Sequence, residues 1–148
     1  VGQNLGAGQP GRAEESIRHA VRYNVVFLGV VGLGFIGFSG LICGLFTTDP
    51  GVYSEAVRAL WIISLAFPLY AAGMCYEATF NGSGDTWTPT RLNFFCLWLG
   101  QVPLAWVLSG PAGLGPVGVY VSVPVSFAAL AVWSALLFRR GTWKEQKV

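Results

Sequence analysis

Phe80-Asn81-Gly82-Ser83-Gly84-Asp85-Thr86-Trp87-Thr88-Pro89 separates two long apolar runs. Gly82 and Gly84 allow a positive φ, which lets a helix stop abruptly. Asp85, Thr86 and Thr88 offer side-chain oxygens to the free N–H groups of the following helix. Pro89 suits a first helical turn, where its missing N–H costs nothing. An ordinary connection between two helices satisfies all of these signals. What distinguishes this one is its setting, because both flanking runs are of membrane length and the first carries one acid, Glu77, close to the turn.

Outward from the turn lie four spans. The one before it covers about 59–76, bounded by Arg58 and Glu77, with Pro68 in its middle. A proline there leaves the Ser64 carbonyl without its helical donor, so a kink is expected. The one after it covers about 92–108, with Gln101 and Pro103 in its far half, and the last covers about 117–138 with Pro124 inside. The first, about 25–46, is 22 residues without a charge, enough to cross a hydrocarbon core. Its glycines, Gly29–Gly32 and Gly37–Gly40–Gly44, form small steps that admit another helix at close range. Thr47-Thr48-Asp49-Pro50-Gly51 ends this span and starts the next helix.

Composition agrees. Hydrophobic residues make up 53% of the 148 and charged residues 11%, more apolar surface than one small soluble core could bury. The net charge of +2 is too small and too dispersed for a nucleic-acid partner. Cys43, Cys75 and Cys96 all lie within apolar runs, lack metal-ligand spacing and read as small buried hydrophobes. The single methionine is Met74, and the chain is read as a piece of a longer protein.

Val1 to Pro10 is a glycine-rich loop in which the Lys-Ser/Thr of a phosphate-binding loop is replaced by Gln-Pro, so close packing or a cytoplasmic turn is expected. Pro10 then opens a helix through Arg22, either at the interface or as the wet end of a spanning helix. Glu14–Arg18 and Glu15–His19 are i,i+4 pairs on it, and His19 reads as a solvated residue.

Eight of the nine basic residues (Arg12, Arg18, Arg22, Arg91, Arg139, Arg140, Lys144 and Lys147) fall on one side of the four spans, and only Arg58 on the other. The positive-inside rule makes that side cytoplasmic, with 139–148 as a basic tail. Trp87 and Trp143 are expected at the inner interface, Trp61 and Trp106 towards the outer one, and Trp98 and Trp133 deeper. Asn81-Gly82-Ser83 matches a glycosylation acceptor but falls on the cytoplasmic side, where that modification does not occur.

Two stretches carry a family resemblance: Gly2-Gln3-Asn4-Leu5-Gly6-Ala7-Gly8-Gln9-Pro10 with Arg12-Ala13-Glu14, and Phe80-Asn81-Gly82-Ser83-Gly84-Asp85-Thr86 with Pro89. With the Thr47-Thr48-Asp49-Pro50 turn and the topology, the chain resembles the multidrug and toxic compound extrusion (MATE) transporters over essentially its whole length. The resemblance implies an all-α membrane protein whose four transmembrane helices form most of the second six-helix lobe of a twelve-helix transporter. It implies residence in the cytoplasmic (inner) membrane, an N-terminal lobe of the same protein as partner, and antiport of cationic or amphipathic organic compounds. The coupling ion would be Na⁺ or H⁺, with no other cofactor. Its motif residues would be Gly2, Gln3, Asn4, Gly6, Gly8, Asn81, Gly82, Gly84, Asp85, Thr86 and Pro89. Some members place an aspartate in the helix matching the second span, near Leu69 or Tyr70; no acid stands there in this sequence.

The residues themselves favour transport over chemistry. Proline-kinked, glycine-rich spans suit helices that bend or slide, making Pro68, Pro103 and Pro124 hinge candidates. Polar side chains in or bordering the spans are Asn24, Ser39, Ser64, Glu77, Thr79, Asn93, Gln101, Ser122, Ser126 and Ser134, from which no nucleophile–base pair or metal cluster assembles. Glu77 is the ion-coupling candidate, because an acid near hydrocarbon is a functional position by default; otherwise it reaches the headgroups or bonds Asn81. A flippase for lipid-linked oligosaccharides, of the same superfamily, is an alternative, but its cavity should be cationic and these spans contain no Arg or Lys. A small four-helix scaffold or exporter is the remaining alternative.

Overall fold

The computed structural model describes residues 1–145; Lys147 and the rest of 146–148, the end of the expected basic tail, lie outside the described residues. Regular structure among the described residues is all helical. The opening segment, expected as a loop, begins with a short helix, α1 (Gly2–Gly6). Glycine disfavours such a helix intrinsically. Packing overrides propensity here, since Val1 and Leu5 press onto a buried apolar cluster. Gly8, at φ +69°, then turns the chain into α2 (Pro10–Gly37), with Pro10 in its first turn. The charged segment and the first apolar run are thus one helix, and Ala13 and Ile17 point inward from its wet end. After an interruption at Phe38 the run continues as α3 (Ser39–Gly44).

Asp49 caps α4 (Pro50–Ser64), its Oδ1 accepting from the backbone N–H groups of Gly51 at 2.8 Å and Val52 at 3.0 Å. α5 (Phe67–Gly82) comes next at a bend of 47°, and the pair together is long and apolar enough to cross a membrane. Pro68 lies in the first turn of α5, where a proline is tolerated, so the expected kink is a break between two helices.

Beyond the turn, α6 (Trp87–Asn93) passes into an eight-residue π-helix, Phe94–Gln101, and then into α7 (Val102–Ser109). Pro103 sits in the first turn of α7. In a continuous α-helix its ring would strike the Leu99 carbonyl, and the wider π winding before it removes that clash. Gly113 and Gly115 take positive φ in the loop after α7, and α8 (Pro116–Arg140) runs through Pro124 unbroken.

α8 is the centre of the bundle, touching α4, α5, the π-helix and α7, while α5 lies between it and α2. Its inner face repeats every four residues: Gly118, Ser122, Ser126, Leu130, Ser134 and Phe138 are all buried. Ser122 and Ser134 turn their hydroxyls back to the carbonyls of Val119 (2.7 Å) and Ala131 (3.1 Å), which satisfies them without a partner on another helix. Gly118 meets the backbone of Leu108 and Ser109, so any side chain there would collide with the neighbouring helix. A Cβ added to Gly73 of α5 would stand in ordinary contact with Leu130 and Ala131.

Candidate functional site

The two motif stretches meet at one end of the bundle. Ala13, Ile17, Phe80, Phe138 and Trp143 form a buried cluster, flanked by Val1, Leu5, Val21, Tyr76 and Leu137. Gly82 belongs to the last turn of α5 and has no positive φ, contrary to expectation; a Cβ on it would stand 3.2 Å from the Val1 side chain, so its smallness serves the contact with the first motif. Gly84 does take positive φ, +87°. Asp85 is the side chain that braces the start of α6, accepting from the Thr88 N–H at 3.0 Å and the Thr88 hydroxyl at 2.6 Å. Thr86 makes no side-chain cap bond, and the Thr88 hydroxyl serves Asp85 rather than the backbone. Pro89 is buried in the first turn of α6, and its carbonyl accepts from the Asn93 amide at 3.1 Å.

In the first stretch the backbone makes the bonds. The Gln3 and Asn4 carbonyls accept from Ala7 and Gln9, while the Gln3 side chain, Gly6 and Gly8 are exposed and Gly2 and Asn4 half-buried.

Trp143, expected at the interface, is instead fully buried. Gly141 ends α8 in the left-handed conformation and folds the tail back. The Trp143 ring then stacks on Phe138 at 5.2 Å and donates its Nε1–H to the Phe138 carbonyl at 3.1 Å. The signal was present in Arg139-Arg140-Gly141-Thr142-Trp143, a glycine after a helix end and then an apolar residue that returns to the last turn. Next to it, Lys144 donates to Glu14, which Arg18 also approaches along α2. The Lys144 ammonium and then the Arg18 guanidinium hold the Glu14 carboxyl below the usual carboxylate range.

Glu77 points towards the third span, opposite Asn93. Its Oε1 is buried without a hydrogen-bond partner, and the Asn81 side chain, exposed in the last turn of α5, does not reach it. Nearby on α5, the Cys75 sulfur accepts from the Asn24 amide of α2 at 3.3 Å, tying the first span to the second. Leu69 and Tyr70 are partly exposed, and the Tyr70 ring tilts against Phe127 of α8 at 4.9 Å.

At the break, the carbonyl that Pro68 leaves without a helical donor faces α2. A Cβ on Gly32 would lie 2.8 Å from the Ser64 oxygen, and one on Gly29 3.8 Å from the Pro68 ring. The Ser64 hydroxyl is buried there without a partner. A cavity of about 260 Å³ lines this crossing, between Gly29, Gly32, Ile36, Ser64, Leu65 and Pro68. Of the glycine steps, Gly40 meets the Tyr53 hydroxyl and Gly44 its ring, while Gly37 faces open space. Pro103 is exposed and Pro124 half-buried.

The arrangement is one of helix ends fixed together, a broken span and an isolated carboxyl. Among the described residues no three His, Cys, Asp or Glu side chains converge as a metal site.

Known proteins of the same build give this arrangement its place. The profile of the MatE family matches residues 1–107. The probable multidrug resistance protein YoeA of Bacillus subtilis is 30% identical over 99% of this chain and 31% of its own length. The probable multidrug resistance protein NorM of Caulobacter vibrioides is 29% identical over 80% of this chain and 28% of its own. The FAD transporter of Shewanella oneidensis is 24% identical over 95% of this chain and 30% of its own. The structure of the MATE transporter ClbM in complex with Rb⁺ superposes with a TM-score of 0.91 at 24% identity, covering 100% of this chain and 35% of that one. The chain therefore spans about a third of the length of the relatives it matches. It is an integral, multi-pass membrane segment, and it belongs to the MatE family of transporters.

Proposed function

We propose that this chain forms most of the second lobe of a cation-coupled antiporter that exports drugs and toxic organic compounds across the cytoplasmic membrane. The observation that carries the reading is the broken second span. Its freed Ser64 carbonyl lies against a glycine of the neighbouring helix rather than in a helical hydrogen bond. Discontinuous spans are where transporters bind and change state, because only there can unpaired backbone groups be tolerated at membrane depth. The relatives named as multidrug resistance proteins support the class of cargo. Glu77 takes the coupling ion: an oxygen without a donor, close to a second polar side chain, can accept H⁺ or coordinate Na⁺. The N-terminal lobe supplies the opposite wall of the cavity.

The full-length protein in vesicles tests this. Uptake of a fluorescent organic cation should depend on an imposed Na⁺ or H⁺ gradient, and Glu77→Gln should weaken that dependence at least tenfold while leaving dye binding in place. No gradient-driven uptake would sink the transport reading. Gradient dependence unaltered in Glu77→Gln would make Glu77 structural and place coupling elsewhere.

A further inference from the structure

We propose that the groove between α6, the π-helix and α8, at the end of the bundle holding the central turn, is a binding site for an anionic phospholipid. Its cavity is about 370 Å³ and is lined by Thr88, Arg91, Leu92, Phe95, Trp133, Leu137 and Arg140. The two arginines stand on different spans, both exposed, and among the described residues neither is paired with a carboxylate. Arg91 is held by its own helix, its guanidinium lying 5.5 Å from the centre of the Trp87 ring. Asp85, bonded through both its oxygens to Thr88, stands beside the rim but does not line the groove. The lining of the groove itself therefore carries two arginines and no acid.

Below the rim the chemistry changes. Leu92 forms a buried floor, and the Phe95 and Trp133 rings face each other at 6.1 Å, both half exposed. Trp133 lies seven residues before Arg140 on one helix, hence about 10 Å deeper. Charge at headgroup level with an apolar wall running that far into hydrocarbon is the shape of a phosphodiester and the first part of an acyl chain. Basic pockets between spans at the positively charged face of a membrane protein attract anionic lipids, by about 1 kcal/mol per basic side chain. A soluble anion would satisfy the arginines but leave the aromatic wall uncovered, whereas a phospholipid covers both.

Native mass spectrometry of the purified full-length transporter, with dioleoyl phosphatidylglycerol or dioleoyl phosphatidylcholine added, tests the proposal. Phosphatidylglycerol should be retained in preference to phosphatidylcholine. Arg91→Gln combined with Arg140→Gln should weaken its retention about thirtyfold. Arg139→Gln removes a neighbouring charge outside the groove and should leave retention within twofold. Arg91→Lys with Arg140→Lys keeps the charge and should retain most of the binding, which guards against a folding defect in the glutamine variant. Equal retention of the two lipids, unchanged retention in the double glutamine variant, or an equal loss in Arg139→Gln would overturn the site.

Discussion

Glu14 accepts from Arg18 one turn along α2 and from Lys144 beyond the end of α8, so a single carboxylate joins the two ends of the described chain. The first partner is legible in the sequence, because residues four apart on a helix are neighbours. The second, 130 positions away, depends on Gly141 reversing the chain and on Trp143 burying itself against Phe138; helical periodicity cannot register either. The lowered pKa gives this pair a definite pH dependence. The native carboxyl titrates below its unfolded value, so the stabilisation is fully present above that value and is lost as pH falls towards the native one. Both side chains remain partly exposed, which limits the pair to below about 1 kcal/mol. Thermal unfolding of the full-length protein should show wild type above Glu14→Gln at pH 7, and a smaller gap at an acid pH below the ordinary carboxylate value, shrinking further towards the lowered native one. A gap of equal size at both pH values would assign the difference to shape rather than charge.

Three prolines with one sequence signature produce three different elements. Pro68 ends up at a 47° break, Pro103 comes after a π-helix, and Pro124 stays inside α8. Each removes the same donor, so the outcome is decided by what surrounds the freed carbonyl, and that belongs to tertiary packing. At the break the surroundings are Gly32, whose missing side chain makes room for the Ser64 oxygen. The glycine steps of the first span are legible as close contacts, but which of them are used is not: Gly29, Gly32, Gly40 and Gly44 meet a neighbour, whereas Gly37 does not. Gly32→Ala forces a methyl against a backbone oxygen and should cost about 1–3 kcal/mol of stability, seen as a lower melting temperature of the full-length protein. Pro68→Ala restores a donor for Ser64 and should leave that temperature within a few degrees while slowing dye export severalfold, because a re-formed helix resists bending. A stable Gly32→Ala protein would mean that α2 separates freely from the break between α4 and α5. Unchanged turnover in Pro68→Ala would leave the bend as fixed shape.

At the scale of the molecule, the bundle separates its charge by end. The start of α2, the turn before α6 and the end of α8 converge on the cluster of Ala13, Ile17, Phe80, Phe138 and Trp143, and they bring Arg12, Arg18, Arg91, Arg139, Arg140 and Lys144 with them. The lone basic residue near the other end, Arg58, is bonded to Glu55 at 3.0 Å, so it carries little net charge against the bias. This division was legible from the sequence because it depends only on counting charges between apolar runs, which no detail of packing alters. The order of the spans in the bundle was not, since that is set by small inward residues such as Gly73, Gly118 and Ser126, which a count of apolar positions passes over. The positive-inside rule gives the expected orientation of the whole: the turn at 83–86 and the end of α8 in the cytoplasm, and the loop at 110–115 outside. Impermeant thiol labelling of a cysteine-free full-length protein in intact cells tests this. Ser83 is a poor probe because it is buried, its hydroxyl bonded to the Phe80 carbonyl, so the exposed Thr86 is the position to use on that side. Ala112→Cys should label in intact cells, and Thr86→Cys only after the membrane is permeabilised. Labelling of Thr86→Cys from outside, with Ala112→Cys protected, would invert the molecule and turn the basic end, with its lipid groove, to the outer leaflet.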